Sequence, residues 1–583
     1  MKKSLALLWT TLLLTICVAA YMSPVSLATT HTVSTSNQLI NAVSNVQSGD
    51  TIILRNATYQ IGSSPLHFTN KHNITMRSES GDPTKVIING DGFEHENSSV
   101  RDEVIMVDGG STNITFSGFT VQEASTHAFK LEGSGGSGQN LANITIENCR
   151  ILNIRERGIK GTPNPFNPGV GVKNIKVIDC YFENTKIPKG HGSGELTPTG
   201  DYIAGMDLMD IDGMEIRGCT FKNIKGKHSD ARGAIFIWNN SRNVIAENNL
   251  FIDCDRSICF GNPYGPAAPV VYHMQNGIIR NNVINVGTAN GTIGVEICYA
   301  NGVKVLNNTI YSSTNSRCIT QSTNTVNRSI LVSNNYIWGR TDDAGQHFVL
   351  TNNLTSDQSA AFVDVATNNF RIKSTASAFI GQGIPYAEVT TDFDGNVRPN
   401  PPAIGAFEYI IPDGNKPSAV SGQIVFDPTF PVAAKPAMTG IEVTIATKES
   451  PGVWTMVEKK ALSSDGTFSF ASVPVGNYCL FIAASNQSAA LSLAIEDAVT
   501  VAGAGAPVNC GTITMVTGDT NKDGTIDIED AYNILTVFGR DSVQPDYDIL
   551  CDTNGDGIID TSDIVVLFEN FNRIGHGPLE IRV

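Results

Sequence analysis

A seven-residue phrase recurs nine times between residues 73 and 335, and this repetition restricts the possible folds more than any other feature of the chain. Each copy alternates apolar and polar positions, which is the pattern of a β-strand with one buried face. Successive copies start 26 to 40 residues apart, and no segment between them has the periodicity of an amphipathic helix. A strand that returns after loops of variable length predicts a solenoid. The copies are NITMRSE at 73, NITFSGF at 113, NITIENC at 143, NIKVIDC at 174, GMEIRGC at 213, NVIAENN at 243, NGIIRNN at 276, GVKVLNN at 302 and SILVSNN at 329.

The last position of the phrase predicts a ladder of stacked side chains. In successive turns of a solenoid this position recurs at a spacing of ~4.8 Å, so that each asparagine amide would hydrogen-bond the next one. Cysteine at the same position indicates a small buried thiol. The residues concerned are Cys149, Cys180 and Cys219 in three earlier copies and Asn249, Asn282, Asn308 and Asn335 in four later ones.

Over residues 31–410 these repeats resemble right-handed parallel β-helix proteins such as pectate, alginate and chondroitin lyases. The opening TVSTSNQLINAVSNVQSGDTIILRNATYQI fits the resemblance, with Leu39, Ile40 and Val43 facing inward on a capping helix. The ending DFDGNVRPNPPAIGAFEY also looks like the close of many bacterial β-helix proteins. The resemblance implies an all-β fold, but it does not specify a reaction, because β-helices host lyases, hydrolases, epimerases and adhesins.

The N-terminus predicts export from the cell. Two lysines precede an apolar run from Leu5 to Ala20 and small residues follow, which is the pattern of a secretory signal peptide over residues 1–28. The run is short for a membrane span, and no other segment is apolar enough to be one. An oxidising compartment would permit disulfides, and the sequence leaves open whether the pairs Cys254–Cys259 or Cys479–Cys510 form.

Residues 417–515 differ in pattern from the repeats. Short alternating strands separated by Gly, Pro and Ser predict a small antiparallel β-sandwich. The stretch DGTFSFASVPVGNY resembles the carboxypeptidase-regulatory type of domain. The resemblance implies a spacer between an enzyme and its anchor, and carbohydrate binding is the alternative.

Two acidic, glycine-centred phrases, GDTNKDGTID at 518 and CDTNGDGIID at 551, predict calcium sites. Residues 518–571 contain 13 acidic and two basic residues, so they carry −11 of the net charge of −16. The rest of the chain is only mildly acidic, and its charge does not exclude an anionic substrate. Oxygen donors fall at loop positions 1, 3, 5, 9 and 12, a glycine stands at position 6, and position 7 offers its carbonyl, as Ca²⁺ requires. The predicted ligands are Asp519, Asn521, Asp523, Thr525, Asp527 and Asp530, then Asp552, Asn554, Asp556, Ile558, Asp560 and Asp563.

An apolar stripe at helical spacing follows each loop, and Asp replaces the Glu that an EF-hand has at position 12. With these features residues 517–572 resemble a type I dockerin, followed by a tail at 573–583. The resemblance implies calcium-dependent binding to a cohesin module of a scaffoldin or a cell-surface protein. In that family positions 10 and 11 help to choose the partner; here they are Ile528-Glu529 and Thr561-Ser562, and only the second pair is usual. The stripes are Ala531, Ile534, Leu535 and Phe538, and Ile564, Leu567, Phe568 and Phe571.

Aligning the strands that follow the phrases by their apolar positions predicts a groove. Side chains that lie between the inward positions would form two outward columns on adjacent turns, suited to holding an extended sugar chain. The inward set is Phe129, Ile159, Met206, Ile235, Ile258, Val295 and Ile319. The first column is Lys130, Lys160, Asp207, Phe236, Cys259, Glu296 and Thr320, and the second contains Glu132, Met209 and Trp238.

The spacing within the first column favours elimination over hydrolysis. Lys160 and Asp207 would be ~5 Å apart, but Asp207 and Glu296 would be ~14 Å apart, and a pair of hydrolytic carboxylates needs ~5–9.5 Å. A lyase on an acidic polysaccharide would use a cation, or Ca²⁺ bound in the groove, to acidify the proton beside a uronate carboxylate, and a Lys or Arg to remove it. The alternatives are a glycan-binding or adhesive β-helix without catalysis and a glycoside hydrolase; a Lys–Asp pair is also an ordinary surface salt bridge.

The candidate residues for this chemistry follow from the columns and from the long segments between phrases. Lys160, Lys227, Arg232 and Arg256 are candidate bases or substrate clamps, Lys130 is a further substrate contact, and Asp207, Asp230 and Glu296 are candidate metal ligands. Trp238 and Phe236 would stack on sugar faces, and His228 lies with Asp230 and Arg232 in the loop KGKHSDARG. His191 in a Gly-His-Gly phrase resembles polygalacturonases, but their companion motifs are missing, so it is interpreted as a loop histidine. No nucleic-acid partner is expected.

Overall fold

The computed structural model describes residues 28–62, 64–90, 92–93, 103–133, 140–163, 171–187, 200–322, 326–411, 415–426, 438, 440–450, 453–483, 490–575 and 581–582. The expected signal peptide, apart from residue 28, and the phrase that contains His191 lie outside these residues. The chain forms two compact units, Met1–Tyr409 and Ile410–Val583.

The first unit is a parallel β-helix built from three long sheets. Every pairing along the three sheets is parallel, and each turn of the chain contributes strands to sheets A, B and C in order. Sheet A contains Thr30–Val33, Thr51–Leu54, His72–Ser78, Thr112–Ser117, Ala142–Glu147, Lys173–Ile178, Asp212–Arg217, Ser241–Glu247, Met274–Gln275, Ile278–Arg280, Ala300–Asn301, Lys304–Leu306, Ile330–Ser333 and Phe348–Thr351. Sheet B contains Ala57–Gln60, Val86–Asn89, Thr120–Ala124, Arg150–Ile154, Tyr181–Glu183, Thr220–Lys222, Leu250–Ile252, Val283–Asn285, Thr309–Tyr311 and Tyr336–Trp338. Sheet C contains Leu66–Thr69, Ile105–Asp108, His127–Glu132, Arg157–Thr162, Ala204–Met209, Gly233–Trp238, Arg256–Phe260, Ile293–Ile297, Arg317–Thr320 and Arg340–Asp342.

The predicted solenoid is confirmed, because all nine phrases form strands of sheet A that follow one another in the sheet. Alternation within a phrase places one set of side chains in the core: Ile144 and Ile146 of Ala142–Glu147 are buried, whereas Thr145 between them is half-buried. The next turn continues the stack, since Ile144 pairs with Ile175 and Ile146 with Val177. The hydrophobic core is therefore one continuous column inside the three sheets.

A helix, Ser36–Asn45, covers the first turn as predicted. The Thr35 hydroxyl accepts a hydrogen bond from the amide of Gln38 at 3.3 Å and so caps its N-terminus. Leu39 and Val43 are buried, and Ile40 is partly buried against the same core.

The predicted asparagine ladder is present. The Nδ2 of Asn249 donates to Oδ1 of Asn282 at 3.0 Å, and the same bond joins Asn282 to Asn308 and Asn308 to Asn335 at 2.9 Å. The ladder continues to Asn353, and its amides also donate to backbone carbonyls at the corner between sheets A and B. Cys149, Cys180 and Cys219 take the same place in earlier turns and are buried. The ten cysteines after the N-terminal segment are all free, so neither Cys254–Cys259 nor Cys479–Cys510 is bridged.

A second ladder, which the sequence analysis did not recognise, uses the first letter of the phrase. Asn113 Nδ2 donates to Asn73 Oδ1 at 2.9 Å, Asn143 to Asn113 at 2.8 Å and Asn174 to Asn143 at 3.1 Å. These residues have φ between 52° and 58°, a region in which Asn is favoured over other non-glycine residues. The recurring Asn-Ile at the start of each early phrase is the sequence feature that could have predicted this second ladder.

The closing segment of the first unit packs on the last turns. It contains the 3₁₀ helix Ser359–Ala361 and the antiparallel pair Phe362–Asp364 and Asn369–Ile372. The buried Arg398 forms an ion pair of 2.5 Å with Glu408 and donates to Asn281 Oδ1 at 2.7 Å. The phrase DFDGNVRPNPPAIGAFEY is thus anchored to the β-helix by this arginine and by main-chain hydrogen bonds such as that from the Ala406 amide to Thr309 Oγ1 at 3.0 Å.

The second unit has two sheets that share a core, and two helices. One sheet has the order Thr467–Val473, Ser418–Phe426, Val508–Met515, and the other Leu493–Val501, Gly476–Ala483, Glu442–Ser450, Val453–Ala461, Ile581–Arg582. The helices are Ile528–Thr536 and Thr561–Glu569. The expected antiparallel arrangement needs a correction: Ser418–Phe426 and Val508–Met515 are parallel, because the chain crosses the other sheet between them, as a parallel pair requires.

Within the described part of both units, no helix is long and apolar enough to cross a membrane.

Candidate functional site

The predicted first column lies on sheet C in the predicted register. Lys130 pairs with Lys160, Lys160 with Asp207, and Asp207 with Phe236. The column then continues through Cys259 and Glu296 to Thr320. Its middle is less open than a groove floor would be, since Lys160, Asp207, Phe236, Cys259 and Glu296 are all buried. Lys130 of this column is half-buried, and so are Glu132, Met209 and Trp238 of the second column.

Asp207 is the centre of the charged cluster. Its Oδ2 lies 2.8 Å from Lys160 Nζ and 2.8 Å from Arg157 Nε, and the Trp238 indole donates to its Oδ1 at 3.0 Å. Burial alone would raise the pKa of this carboxyl, but the charges of Arg157 and Lys160 outweigh burial and hold the pKa at about 2. Asp207 is therefore ionised, and it holds Arg157 and Lys160 by ion pairs and the Trp238 ring by a hydrogen bond.

Arg157 is the residue of this cluster that the sequence analysis missed. It is fully buried, its guanidinium lies over the Tyr202 ring at 3.3 Å from the ring centroid, and it donates to the Tyr202 carbonyl. It stands at the first position of its sheet C strand, where His127 is its neighbour on the preceding turn. The sequence feature that could have identified Arg157 is its position as a charged residue at the start of RGIKGT, before the aligned apolar positions.

A second ionic group lies one turn earlier. Lys130 Nζ is 3.1 Å from Glu103 Oε1 and 3.5 Å from Glu132 Oε2, and His127 is 3.6 Å from the same Glu103 oxygen. Burial raises the pKa of Glu103, but the hydrogen bond to His127 and the charge of Lys130 lower it to about 2. Burial lowers the pKa of His127, against the pull of Glu103. Glu103 is therefore a carboxylate at neutral pH.

Aromatic rings continue the site across later turns. Phe236 and Trp238 are stacked with centroids 5.4 Å apart, Trp238 meets His273 edge-on at 5.5 Å, and His273 meets Tyr299 at 5.7 Å. Phe236 and His273 are buried, whereas Trp238 and Tyr299 keep part of their surface exposed. Trp238 therefore keeps part of its ring exposed, and the buried Phe236 stacks against it.

Arg256 and Glu296 form the downstream end of the column. Arg256 Nη2 is 2.7 Å from Asp230 Oδ1, its Nη1 donates to the Ala231 carbonyl at 2.6 Å, and its Nε is 3.9 Å from Glu296 Oε2. Glu296 and Asp207 are three strands apart in sheet C. At ~4.8 Å per strand, that separation does not suit a pair of hydrolytic carboxylates.

The predicted loop KGKHSDARG is an ordered turn. The buried Asp255 holds it, since Oδ2 accepts from the amides of Gly226 at 2.8 Å and Ala231 at 3.0 Å. His228 is exposed, and its Nδ1 lies 2.8 Å from Asp201 Oδ2. Lys227 is also exposed, and the Arg232 amide donates to the Ile203 carbonyl at 2.8 Å. Of the predicted candidates in this loop, Lys227, His228 and Asp230 are therefore open to solvent.

The residues named for a calcium ion in the groove do not fit one. Both oxygens of Asp207 are occupied by Lys160, Arg157 and Trp238, Asp230 is paired with Arg256 at 2.7 Å, and Glu296 lies beside Arg256 and Cys259. Within the described chain, no three His, Cys, Asp or Glu side chains gather closely enough to hold an ion. We therefore derive no step through a metal in the β-helix.

The two acidic loops of the second unit have the same local structure. Gly524 and Gly557 have φ of 89° and 88°, so that each loop turns where only glycine is unstrained. Asp527 and Asp560 cap the helices that follow, and the position 12 carboxylates close the capping boxes by accepting from the Asp527 and Asp560 amides at 2.9 and 2.8 Å.

Position 1 differs between the loops. The Oδ1 of Asp519 is buried and has no hydrogen-bond partner in the described chain, and burial raises the pKa of Asp519 to about 6. In the second loop, Asp552 accepts from Gly555 and Gly557 at 2.8 Å and from the Tyr547 hydroxyl. A buried carboxylate oxygen without a donor fits a cation ligand. The amide and main-chain oxygens would have to complete each site, because the carboxylates alone are not gathered into one.

The predicted apolar stripes divide between a core and a surface. Ala531, Ile534 and Leu567 join a core that also includes Leu491 and Val516 from the neighbouring strands and connections. Ile528, Tyr532, Leu535 and Phe538 of the first helix region are exposed, as are Val565 and Phe568 of the second. The exposed set is an apolar surface of the kind that partner proteins cover.

Comparison with known proteins finds no matching family model and no matching curated protein. Among solved structures, pectate lyase Pel9A is 15% identical, with 67% of this chain and 98% of that chain covered and a TM-score of 0.44. An alginate lyase from Paenibacillus sp. FPU-7 is 12% identical, with 56% and 98% covered and a TM-score of 0.26. A mutant type II Cohesin-X-Dockerin complex from Acetivibrio cellulolyticus is 26% identical over 27% of this chain and 97% of that chain, with a TM-score of 0.22. Scores this low transfer no activity to this chain.

Proposed function

We propose that the first unit binds an extended acidic polysaccharide along sheet C and cleaves it by β-elimination. We further propose that the protein is secreted, and that residues 517–572 are a calcium-dependent dockerin that attaches it to a cohesin. The observation that carries the first proposal is a row of cations and a half-exposed ring on one face of sheet C: Lys130 and Lys160 lie on adjacent strands, and Trp238 lies two strands further along. A chain of uronic acids presents a carboxylate and an apolar sugar face at each residue, and these side chains match both groups.

In this proposal the cations bind substrate and do not abstract the proton. Lys160 is held by Asp207 and Arg256 by Asp230, so that both are fixed in position to bind a uronate carboxylate. Neutralising that carboxylate acidifies the proton on the adjacent carbon. A base then removes the proton, the electron pair forms the C4–C5 double bond, and the C4–O glycosidic bond breaks as the leaving oxygen takes up a proton.

His228 is the candidate base that the contacts favour. It lies on the turn that leads into the strand of Phe236 and Trp238, and its ring is exposed. Asp201 at 2.8 Å orients Nδ1 and leaves Nε2 toward solvent, the arrangement that serves an imidazole base. Lys227 beside it is exposed and would be the second choice.

A glycan-binding protein without catalysis is the second candidate, and one observation favours it. Asp207, the most buried carboxylate of the column, has all its contacts within the protein, as a structural ion network does. Such a network would keep the face of sheet C rigid for binding and would require no chemistry.

Product analysis on polygalacturonate, alginate and xylan separates the candidates. Elimination gives an unsaturated product that absorbs in the ultraviolet, hydrolysis gives new reducing ends without that absorbance, and retention without cleavage indicates binding alone. His228→Ala should abolish elimination, and Lys160→Ala should raise KM. Lys222→Ala is the matched control, because Lys222 pairs with Glu183 on sheet B, away from this face. Elimination that survives in His228→Ala at full rate would reject His228 as the base.

The tethering proposal rests on the two loop–helix copies and on the buried, unpartnered Oδ1 of Asp519. Ca²⁺ would be held by Asp519, Asn521, Asp523, the Thr525 carbonyl, Asp527 and Asp530, and by the equivalent residues of the second loop, and it would supply the charge that closes each loop.

Binding to immobilised type I and type II cohesins, with calcium and with EDTA, tests the proposal. Tyr532→Ala should weaken binding, since Tyr532 is exposed on the apolar surface. The control is Lys459→Ala, at an exposed lysine that pairs with Glu442 in the β-sheet of the same unit. Failure to bind any cohesin in calcium would count against a dockerin.

A further inference from the structure

A polar cleft of about 520 Å³ opens at the edge of sheet C near its C-terminal end. Its walls are the turns 288–292 and 314–316, each of which leads from sheet B into a sheet C strand. Thr292 fixes the first wall, because its hydroxyl donates to the Gly287 carbonyl at 2.6 Å and bonds Ser316 Oγ at 3.2 Å. Hydroxyl and amide groups dominate the lining, so the cleft suits a hydroxylated ligand.

Two arginines form the floor of this cleft. Arg317 and Arg340 pair directly across adjacent strands of sheet C, which places them ~5 Å apart along the stack. Like charges at this distance repel each other. Arg317 donates to the Gly291 carbonyl at 2.9 Å, and the half-exposed Asp342 lies 3.7 Å from Arg340. Within the described lining, two guanidinium groups therefore face one carboxylate, and one positive charge is left over.

The cleft is in line with the proposed glycan path. Arg256, Ile293 and Arg317 occupy equivalent positions on three successive strands, so Arg317 lies two turns, ~10 Å, beyond Arg256. A sugar chain that runs along this edge of sheet C past Arg256 would reach the cleft next, whereas Trp238 lies at the opposite end of its strand.

We infer that the cleft of Arg317 and Arg340 is a distal subsite for an anionic sugar residue of the bound chain, with a uronate carboxylate as the ligand. This inference rests on the proposed function. A planar guanidinium group donates two parallel hydrogen bonds to a carboxylate. The repulsion between the two adjacent arginines is offset when an anion binds between them. Asp342 competes with that anion for Arg340.

The test is isothermal titration of the full chain with hexamers of galacturonate, a sulfated galactan hexamer and neutral xylohexaose. Arg317→Gln with Arg340→Gln should weaken binding of the galacturonate hexamer at least about tenfold, the loss of one charge-assisted hydrogen bond. Asp342→Asn should tighten it by about two- to fivefold, since an exposed competing pair is removed. Arg328→Gln, at an exposed arginine beside a sheet A strand, is the matched control and should leave binding unchanged.

The outcomes separate this inference from the function on which it rests. If the unaltered protein binds none of the anionic hexamers, both the proposed function and the subsite are overturned. If it binds them and the double variant binds equally, only the subsite is overturned. A sulfated hexamer that binds more tightly than the galacturonate hexamer, with the same loss in the double variant, would keep the subsite and overturn the assignment of its ligand as a carboxylate.

Discussion

Lys160 Nζ and Asp207 Oδ2, which are 47 residues apart in the chain, lie 2.8 Å from each other on adjacent turns of the β-helix. The stacking of repeats brings them together, and Arg157 and Trp238 complete the arrangement around the same carboxylate. Because Asp207 is almost fully buried, the cluster also decides how the first unit responds to mutation and to pH.

Asp207→Asn should destabilise the first unit strongly. The substitution leaves the charges of Arg157 and Lys160 without their partner in a buried site, and breaking such a cluster costs about 3–5 kcal/mol. Chemical denaturation measures the free energy of unfolding. Asp253→Asn, which removes a half-exposed partner of Lys225, is the control and should cost no more than about 1 kcal/mol. Equal losses in the two variants would show that the cluster does not stabilise the fold.

Acid should unfold the first unit through the same carboxylates. The pKa values of Asp207 and Glu103 are about 2 in the folded protein, below the ordinary values of about 4 in the unfolded chain. A depressed pKa means that the stabilisation is complete above about pH 4–5 and is lost as the pH falls toward about 2. Melting temperatures measured between these limits should fall steeply for the natural chain and less steeply for Asp207→Asn. A parallel fall in the two proteins would contradict this assignment.

Asn308→Ala should interrupt the asparagine ladder. The substitution removes the acceptor of the Asn282 amides and the donor to the Ile279 carbonyl and to Asn335. Each buried group left without a partner costs about 1–3 kcal/mol, so a loss of roughly 2–4 kcal/mol is expected in the free energy of unfolding. Asn308→Cys should cost less, because Cys149, Cys180 and Cys219 occupy the same place in earlier turns. A loss for the Cys variant as large as for the Ala variant would show that a thiol cannot fill that place.

Trp238→Ala should weaken binding of acidic oligosaccharides by roughly tenfold or more, because it removes the half-exposed ring. Trp238→Phe keeps a ring and loses only the hydrogen bond to Asp207, so binding should be largely retained while the melting temperature falls slightly. Titration calorimetry and thermal melting of both variants check this pair of results. Unchanged affinity in Trp238→Ala would remove Trp238 from the binding surface.

The two acidic loops should respond unequally to mutation of position 1. The natural chain should bind two Ca²⁺ ions, and Asp519→Ala should remove one and also relieve the burial of an unpartnered oxygen. Asp552→Ala should remove the other and additionally cost stability without calcium, since Asp552 accepts from Gly555, Gly557 and Tyr547. Calcium titration counts the sites, and thermal melting in EDTA measures the difference. Identical melting of the two variants in EDTA would contradict the asymmetry.

Much of the first unit could be predicted from the sequence, because its contacts repeat. Once each phrase forms a strand with one buried face and recurs after a connection without a helix, stacking the turns covers all those faces. The register of Lys130, Lys160, Asp207 and Glu296 then follows from counting apolar positions. The asparagine ladder follows from the same counting. The loop structure that a calcium site requires is equally local, since glycine at position 6 and an aspartate cap lie within 12 residues.

The tertiary structure alone decided how charged and how open the column is. Arg157 reaches Asp207 from the start of a strand, where alternation gives no direction, and Glu103 meets Lys130 from the turn before it. Lys160 and Asp207 are buried, whereas His228 is exposed and Trp238 is half-buried. The path of the turn that carries His228 depends on hydrogen bonds from the Gly226 and Ala231 amides to Asp255, which is distant in the chain. A periodic sequence determines which side chains share a face, whereas burial and pairing depend on segments that do not repeat.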